Sequence, residues 1–219
     1  APRFPDTWDL DDMLHPRRAM VLATLATMCA LYEAHGIDRY DLVGHSKGGG
    51  TAVDTAWFLA EDPDALPGLS VRSVTVVDSV GSTDHSTAEL AIRAPFVVHR
   101  ALAARHRYKF ASDEPPATIR DTLDYALPCL ARTGIEGLDC GVTDLRPGIK
   151  ALRRSNVPVA ALAHVNDEFF PGRRAERHIG ELVNAFALGE PVPKAGHFAF
   201  QIEPAAVMAD HDELLTRML

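Results

Sequence analysis

The sequence predicts an α/β fold, a mainly parallel sheet flanked by helices and carrying a helical insertion. Two observations predict it. Short apolar runs at 40–43, 71–77 and 157–163 have the length and composition of buried strands. Segments with three- and four-residue apolar spacing alternate with them, so successive strands must be joined by crossovers and pair in parallel. The chain has 219 residues, of which 47% are hydrophobic, enough to bury one sizeable core.

Residues 1–15 are rich in proline and aspartate and read as loop. A helix is expected from about Pro16 to His35, with proline at its start and Gly36 as its C-terminal cap. Tyr40 to Val43 forms a short strand. The next helix runs from about Gly49 to Glu61, with Ala52, Val53, Ala56, Trp57 and Ala60 on one face. After a loop at 62–68, the valine-rich alternation of 71–77 gives a strand that ends at Asp78. The region 81–143 has no clear strand; it holds helical pieces broken at Pro95, Pro115-Pro116 and Pro128. A helix near 145–154 precedes a third strand at 157–163. A further helix is expected over about 173–188, with Ile179, Leu182, Val183 and Phe186 inward. A last short strand falls at 191–194, and a final helix begins near Pro204.

The net charge of −8, from 30 acidic and 22 basic residues, lacks the basic footprint of a nucleic-acid partner. The weakly polar run 19–32 is too short to span a membrane and reads as a buried helix. Cys29, Cys129 and Cys140 give neither a disulfide framework nor metal-ligand spacing, so a reducing, cytoplasmic setting is expected.

The chemistry concentrates after the strands, where open parallel sheets hold their ligands. Gly44-His45-Ser46-Lys47-Gly48-Gly49 follows one strand and opens a helix. A turn that tight exposes the serine hydroxyl and needs small residues two positions either side, here Gly44 and Gly48. The helix N-terminus beneath it favours negative charge. A phosphate loop would read Gly-Lys-Ser/Thr, and the dinucleotide fingerprint is not met across 44–50. Serine needs a base, and the base a partner that fixes its tautomer. Asp167 and His197 follow later strands in the order serine, acid, histidine. Asp78, at the end of the preceding strand, is the alternative acid. His45 beside the serine reads as a structural residue of the turn, and His164, which ends a strand, as a candidate lining residue. The arginines and histidines of 93–107 either bind an acidic group or form a solvated helix face.

These three segments, Gly44 to Gly49, Asn166-Asp167-Glu168-Phe169-Phe170-Pro171 and Gly196-His197-Phe198, resemble the nucleophile elbow, acid loop and histidine loop of the α/β-hydrolase family. The resemblance runs from about residue 16 to the C-terminus. It implies a core of 1–80 and 144–219 and a helical cap over 81–143. It implies a Ser46-His197-Asp167 triad, with the Lys47 amide as one oxyanion donor. Phe96, Phe169 and Phe198, with His45 and His164, are the pocket candidates. The family's earlier strands and its second oxyanion amide have no counterpart here, so an N-terminal segment or a partner chain is expected to complete the fold. The implied activity is hydrolysis of a small-molecule ester or related acyl bond by a serine esterase, with no metal or organic cofactor. Acyl transfer, thioester cleavage and carbon–carbon hydrolysis use the same three residues, and a non-catalytic binding domain is the alternative of another class.

Overall fold

A computed structural model describes residues 16–94, 137–189, 197, 212, 214 and 216. Four parallel strands form one sheet in the order β1 (Arg39–His45), β2 (Ser70–Val77), β3 (Val159–His164) and β4 (Ala185–Gly189). The helices are α1 (Pro16–His35), α2 (Lys47–Glu61), α3 (Arg146–Arg154) and α4 (Gly172–Ile179). Further helical residues occur at 87–94 and 137–142, at the two ends of the expected insertion, and at 212, 214 and 216. The remainder of the insertion lies outside the described residues, as do the strand expected at 191–194 and the sites Phe96 and Phe198.

β3 and the second half of β2 are apolar because both faces of the sheet are covered there. All six residues of β3 are buried, as are the last five of β2. Ala52, Val53 and Ala56 of α2 pack with Val74 and Val76 of β2, Ile149 and Leu152 of α3, and Ala161 of β3. A second cluster joins Leu25, Met28 and Cys29 of α1 to Leu59, Leu66 and Leu69. Arg17 ties α1 to α2 by gripping both carboxylate oxygens of Asp54.

The helix expected over 173–188 ends at Ile179, and the chain turns and forms β4. Pairing with β3 decides this. The Asn184 side-chain oxygen accepts the Val159 N–H at 2.9 Å, and Asn184 N–H donates to the Val159 carbonyl at 2.7 Å. Ala160 then aligns with Ala185, and the ladder runs to His164 opposite Gly189. Leu182, Val183 and Phe186 still pack on the core, as their spacing implied, but from a turn and a strand.

β1 passes into α2 through Ser46 alone. A Cβ on Gly44 would lie 2.2 Å from the Gly48 carbonyl oxygen, so the backbone crosses itself there. Gly48 differs from expectation, since a Cβ on it meets nothing within 4 Å. The second tight position is Gly49, where a Cβ would lie 2.0 Å from the Ser79 hydroxyl oxygen. We therefore expect Gly44→Ala to cost at least about 3 kcal/mol, because a backbone carbonyl has nowhere to retreat. Gly48→Ala should be neutral or stabilising by up to about 1 kcal/mol, alanine being the better helix former. Urea unfolding of the two variants checks this; equal losses would contradict the packing described.

Candidate active site

Ser46 holds φ 54 and ψ −122, a conformation that L-residues rarely adopt. Its surroundings fix it there. Ser46 N–H donates to the Val77 carbonyl at 3.0 Å. Its own carbonyl accepts the N–H groups of Gly49 and Val80 at 3.1 Å each and the Ser79 hydroxyl at 3.2 Å. Strain of about 1–3 kcal/mol persists only when such contacts over-determine a residue. The Ser46 hydroxyl consequently stands at the carboxyl end of β1, with Lys47 as the first residue of α2.

Asp167 lies in the turn after β3, anchored by its N–H to the His164 carbonyl at 3.2 Å. One carboxylate oxygen accepts the N–H groups of Phe169 and Phe170 at 2.7 and 2.6 Å. The other faces His197 Nδ1 at 2.7 Å, and His197 Nε2 faces Ser46 Oγ at 2.8 Å. Since a carboxylate only accepts, Nδ1 carries the hydrogen and Nε2 offers its lone pair to the serine. Both residues are buried, which pushes each towards its neutral form. For Asp167 that push is overcome by the nearby His197 and by its N–H donors, and its carboxyl falls below the ordinary value. For His197 burial is likewise the largest influence and lowers it. The charge and hydrogen bond of Asp167, helped by Asp78 and Glu168, outweigh it and leave the imidazole raised.

Neither a family model nor a curated protein matches the chain by sequence. Solved structures do. The chain is similar to a lipase-esterase related protein from Clostridium acetobutylicum, at 12% identity and a TM-score of 0.61, over 97% of this chain and 79% of that one. It is similar to the 2-hydroxy-6-oxo-6-phenylhexa-2,4-dienoate hydrolase from Rhodococcus sp. strain RHA1, at 17% identity and a TM-score of 0.59, over 98% and 75%. A serine hydrolase involved in carbazole degradation matches at 17% identity and a TM-score of 0.58, over 98% and 74%. This is the α/β-hydrolase fold.

Within this α/β-hydrolase fold the other expected residues take different places. Asp78 does not reach His197. Its carboxylate accepts the His164 N–H at 2.8 Å and meets His164 Nδ1 at 2.6 Å, with neither side chain exposed. The His164 side chain is unexposed and is not among the residues lining the cavity described below. Burial first, then the neighbouring Asp167 charge, raises the Asp78 carboxyl, against the opposing pull of His164. His45 packs against His197: its Nε2 lies 3.2 Å from the His197 carbonyl, and the two rings stack with centroids 5.1 Å apart. The backbone N–H of His197 also donates to a Glu168 carboxylate oxygen at 3.2 Å.

A cavity of about 530 Å³ opens over Ser46 and His197. Leu90, Ala91 and Ala94 of the 87–94 helix form one wall, and Leu138 with Cys140 another. Phe169 and Phe170 also line it. Their rings stand edge-on to His197, with centroids 5.0 and 5.3 Å away at 89° and 69°. Leu90, Leu138 and Cys140 had no motif to single them out, since apolar spacing reads the same on a core face and a cavity wall.

Burial, followed by the proximity of His197, lowers the His45 imidazole from the ordinary 6.5 to about 4. The unfolded chain therefore binds this proton more readily than the native one. The contribution is complete above pH 6.5 and is lost as pH falls towards 4, by up to about 3 kcal/mol. His45→Gln should flatten the fall in unfolding free energy across that window, measured by urea titration at each pH. An unchanged slope would contradict a neutral, half-buried His45.

Proposed function

We propose that the chain is a serine hydrolase that cleaves a carboxylic ester or a related acyl bond. The observation that carries this reading is the line Ser46 Oγ, His197, Asp167, with contacts of 2.8 and 2.7 Å at the mouth of the cavity. A binding domain would have no need of a nucleophile, a base and an orienting acid in mutual reach. The described cavity walls are largely apolar and hold no Asp, Glu, Lys or Arg, which favours an uncharged acyl group.

In the proposed reaction His197 Nε2 accepts the Ser46 Oγ proton as the oxygen attacks the carbonyl carbon. The resulting oxyanion turns to the Lys47 amide, where the N-terminus of α2 stabilises negative charge. We assign the second donor to a segment beyond β1, the outer strand of the described sheet, where Val43 is 47% exposed. His197 then protonates the leaving group, leaving an acyl-enzyme on Ser46. A water, deprotonated by His197, releases the acid and regenerates the serine. Asp167 holds the tautomer and stabilises the imidazolium that forms.

Two outcomes test the assignment. Asp167→Asn should lower kcat on short p-nitrophenyl esters about 10⁴-fold, because the wrong tautomer then faces Ser46. Asp78→Asn should retain far more activity; the reverse order would make Asp78 the acid. The base works only when neutral. Its raised pKa accordingly puts the rising limb of kcat/KM above pH 6.5, and removing the Asp167 charge should move that limb to lower pH. Wild-type protein that is inactive on such esters and unlabelled by a fluorophosphonate would contradict the proposal.

A further inference from the structure

The acid loop is held from two sides by two different parts of the chain. Inside the loop, Asp167 collects the N–H groups of Phe169 and Phe170. That leaves carbonyls on the other side, and backbone carbonyls in a buried turn need donors. The insertion supplies them. Arg93 Nη1 donates to the Glu168 carbonyl at 2.7 Å. His85 Nε2 lies 2.5 Å from the Phe169 carbonyl, so it carries the hydrogen. Arg93 is itself aimed by Glu89, one turn earlier on the same helix, at 2.6 Å. Arg174 of α4 locks Glu89 from the core side at 2.7 Å and also grips Asp84 at 2.5 Å. Arg93 therefore neither lines the cavity nor belongs to a merely solvated helix face.

We propose that Arg93 and His85 are positioning residues for Asp167, and that they make the alignment of the acid conditional on the 87–94 helix being seated. The proposal rests on the serine-hydrolase reading above. Loop 167–170 carries the carboxylate that fixes His197 and the two rings that stand edge-on to it. Releasing its carbonyls lets both drift together. The helix that bonds the loop also gives Leu90, Ala91 and Ala94 to the cavity wall. One element thus senses the bound acyl group and aligns the acid. A substrate that unseats this helix loses turnover even while it binds.

Arg93→Met keeps the aliphatic stem and removes the donors; Arg93→Lys restores a cationic donor. Both are to be assayed on a short p-nitrophenyl ester beside wild type, with thermal melts and the low-field His197 Nδ1–H proton resonance. The expected result for Arg93→Met is a ten- to a hundredfold fall in kcat, about the cost of a small misplacement of a reacting group, with KM within about twofold. The Nδ1–H resonance should shift or broaden while the protein remains folded, and Arg93→Lys should recover part of kcat. Active wild type with an unchanged kcat in Arg93→Met, or with a rise in KM alone, overturns this inference and leaves the hydrolase reading intact. If Arg93→Met fails to fold, a folded Arg93→Lys with wild-type kcat and an unmoved resonance overturns it as well. Wild type that neither turns over nor labels with a fluorophosphonate overturns the hydrolase reading and this inference with it.

Discussion

The site depends on one backbone crossing. The carbonyl of Gly48 occupies the place where a side chain on Gly44 would stand, 2.2 Å from an ideal Cβ. That approach forces Ser46 to φ 54 and fixes its hydroxyl relative to the end of β2 and the start of α2. Asp167 is set by β3 and its following turn. His197 is tied back to the residue before the serine, through the His45 ring. Strain at Ser46 is therefore maintained by strand pairing and helix packing that exist in any case, the usual condition under which such strain survives.

Two buried carboxylate–histidine pairs lie next to each other, Asp167–His197 and Asp78–His164. A buried carboxylate is costly unless donors surround it, and besides its imidazole Asp78 accepts one backbone N–H and Asp167 two. The pairs also meet at the backbone of one residue, His164. Asp78 holds the N–H of His164, and the carbonyl of His164 holds the N–H of Asp167. The inner pair thus fixes the turn from which the outer one works, and this gives Asp78 a structural reason to be a carboxylate without facing Ser46.

Much of this was legible in the sequence, for physical reasons. The strand–turn–helix around Ser46 is a local pattern, and so is the order of Asp167 and His197 after later strands. Contacts between distant segments were not legible. Gly48 and Gly49 are indistinguishable as letters, and only the nearness of Ser79 makes the second one obligatory. The run 179–188 has helical spacing, yet the free edge of β3 captured its second half as β4, because ladder hydrogen bonds outweigh weak local propensity. Asp78 and His164 were separate candidates for the site; their mutual contact spans 86 positions of sequence. Arg93 read as part of a basic run, and its partner in the acid loop is a backbone carbonyl, which no sequence pattern marks.

The proposed reaction turns on Ser46 forming an acyl-enzyme with His197 as its base. Acid-quenching the protein during turnover of a p-nitrophenyl ester, then mapping the peptides by mass spectrometry, tests it most directly. The expected result is an acyl adduct on Ser46 that is missing when His197 is replaced by alanine. Turnover with the adduct on Cys140 or Lys47, or an adduct on Ser46 that forms equally well without His197, would contradict it.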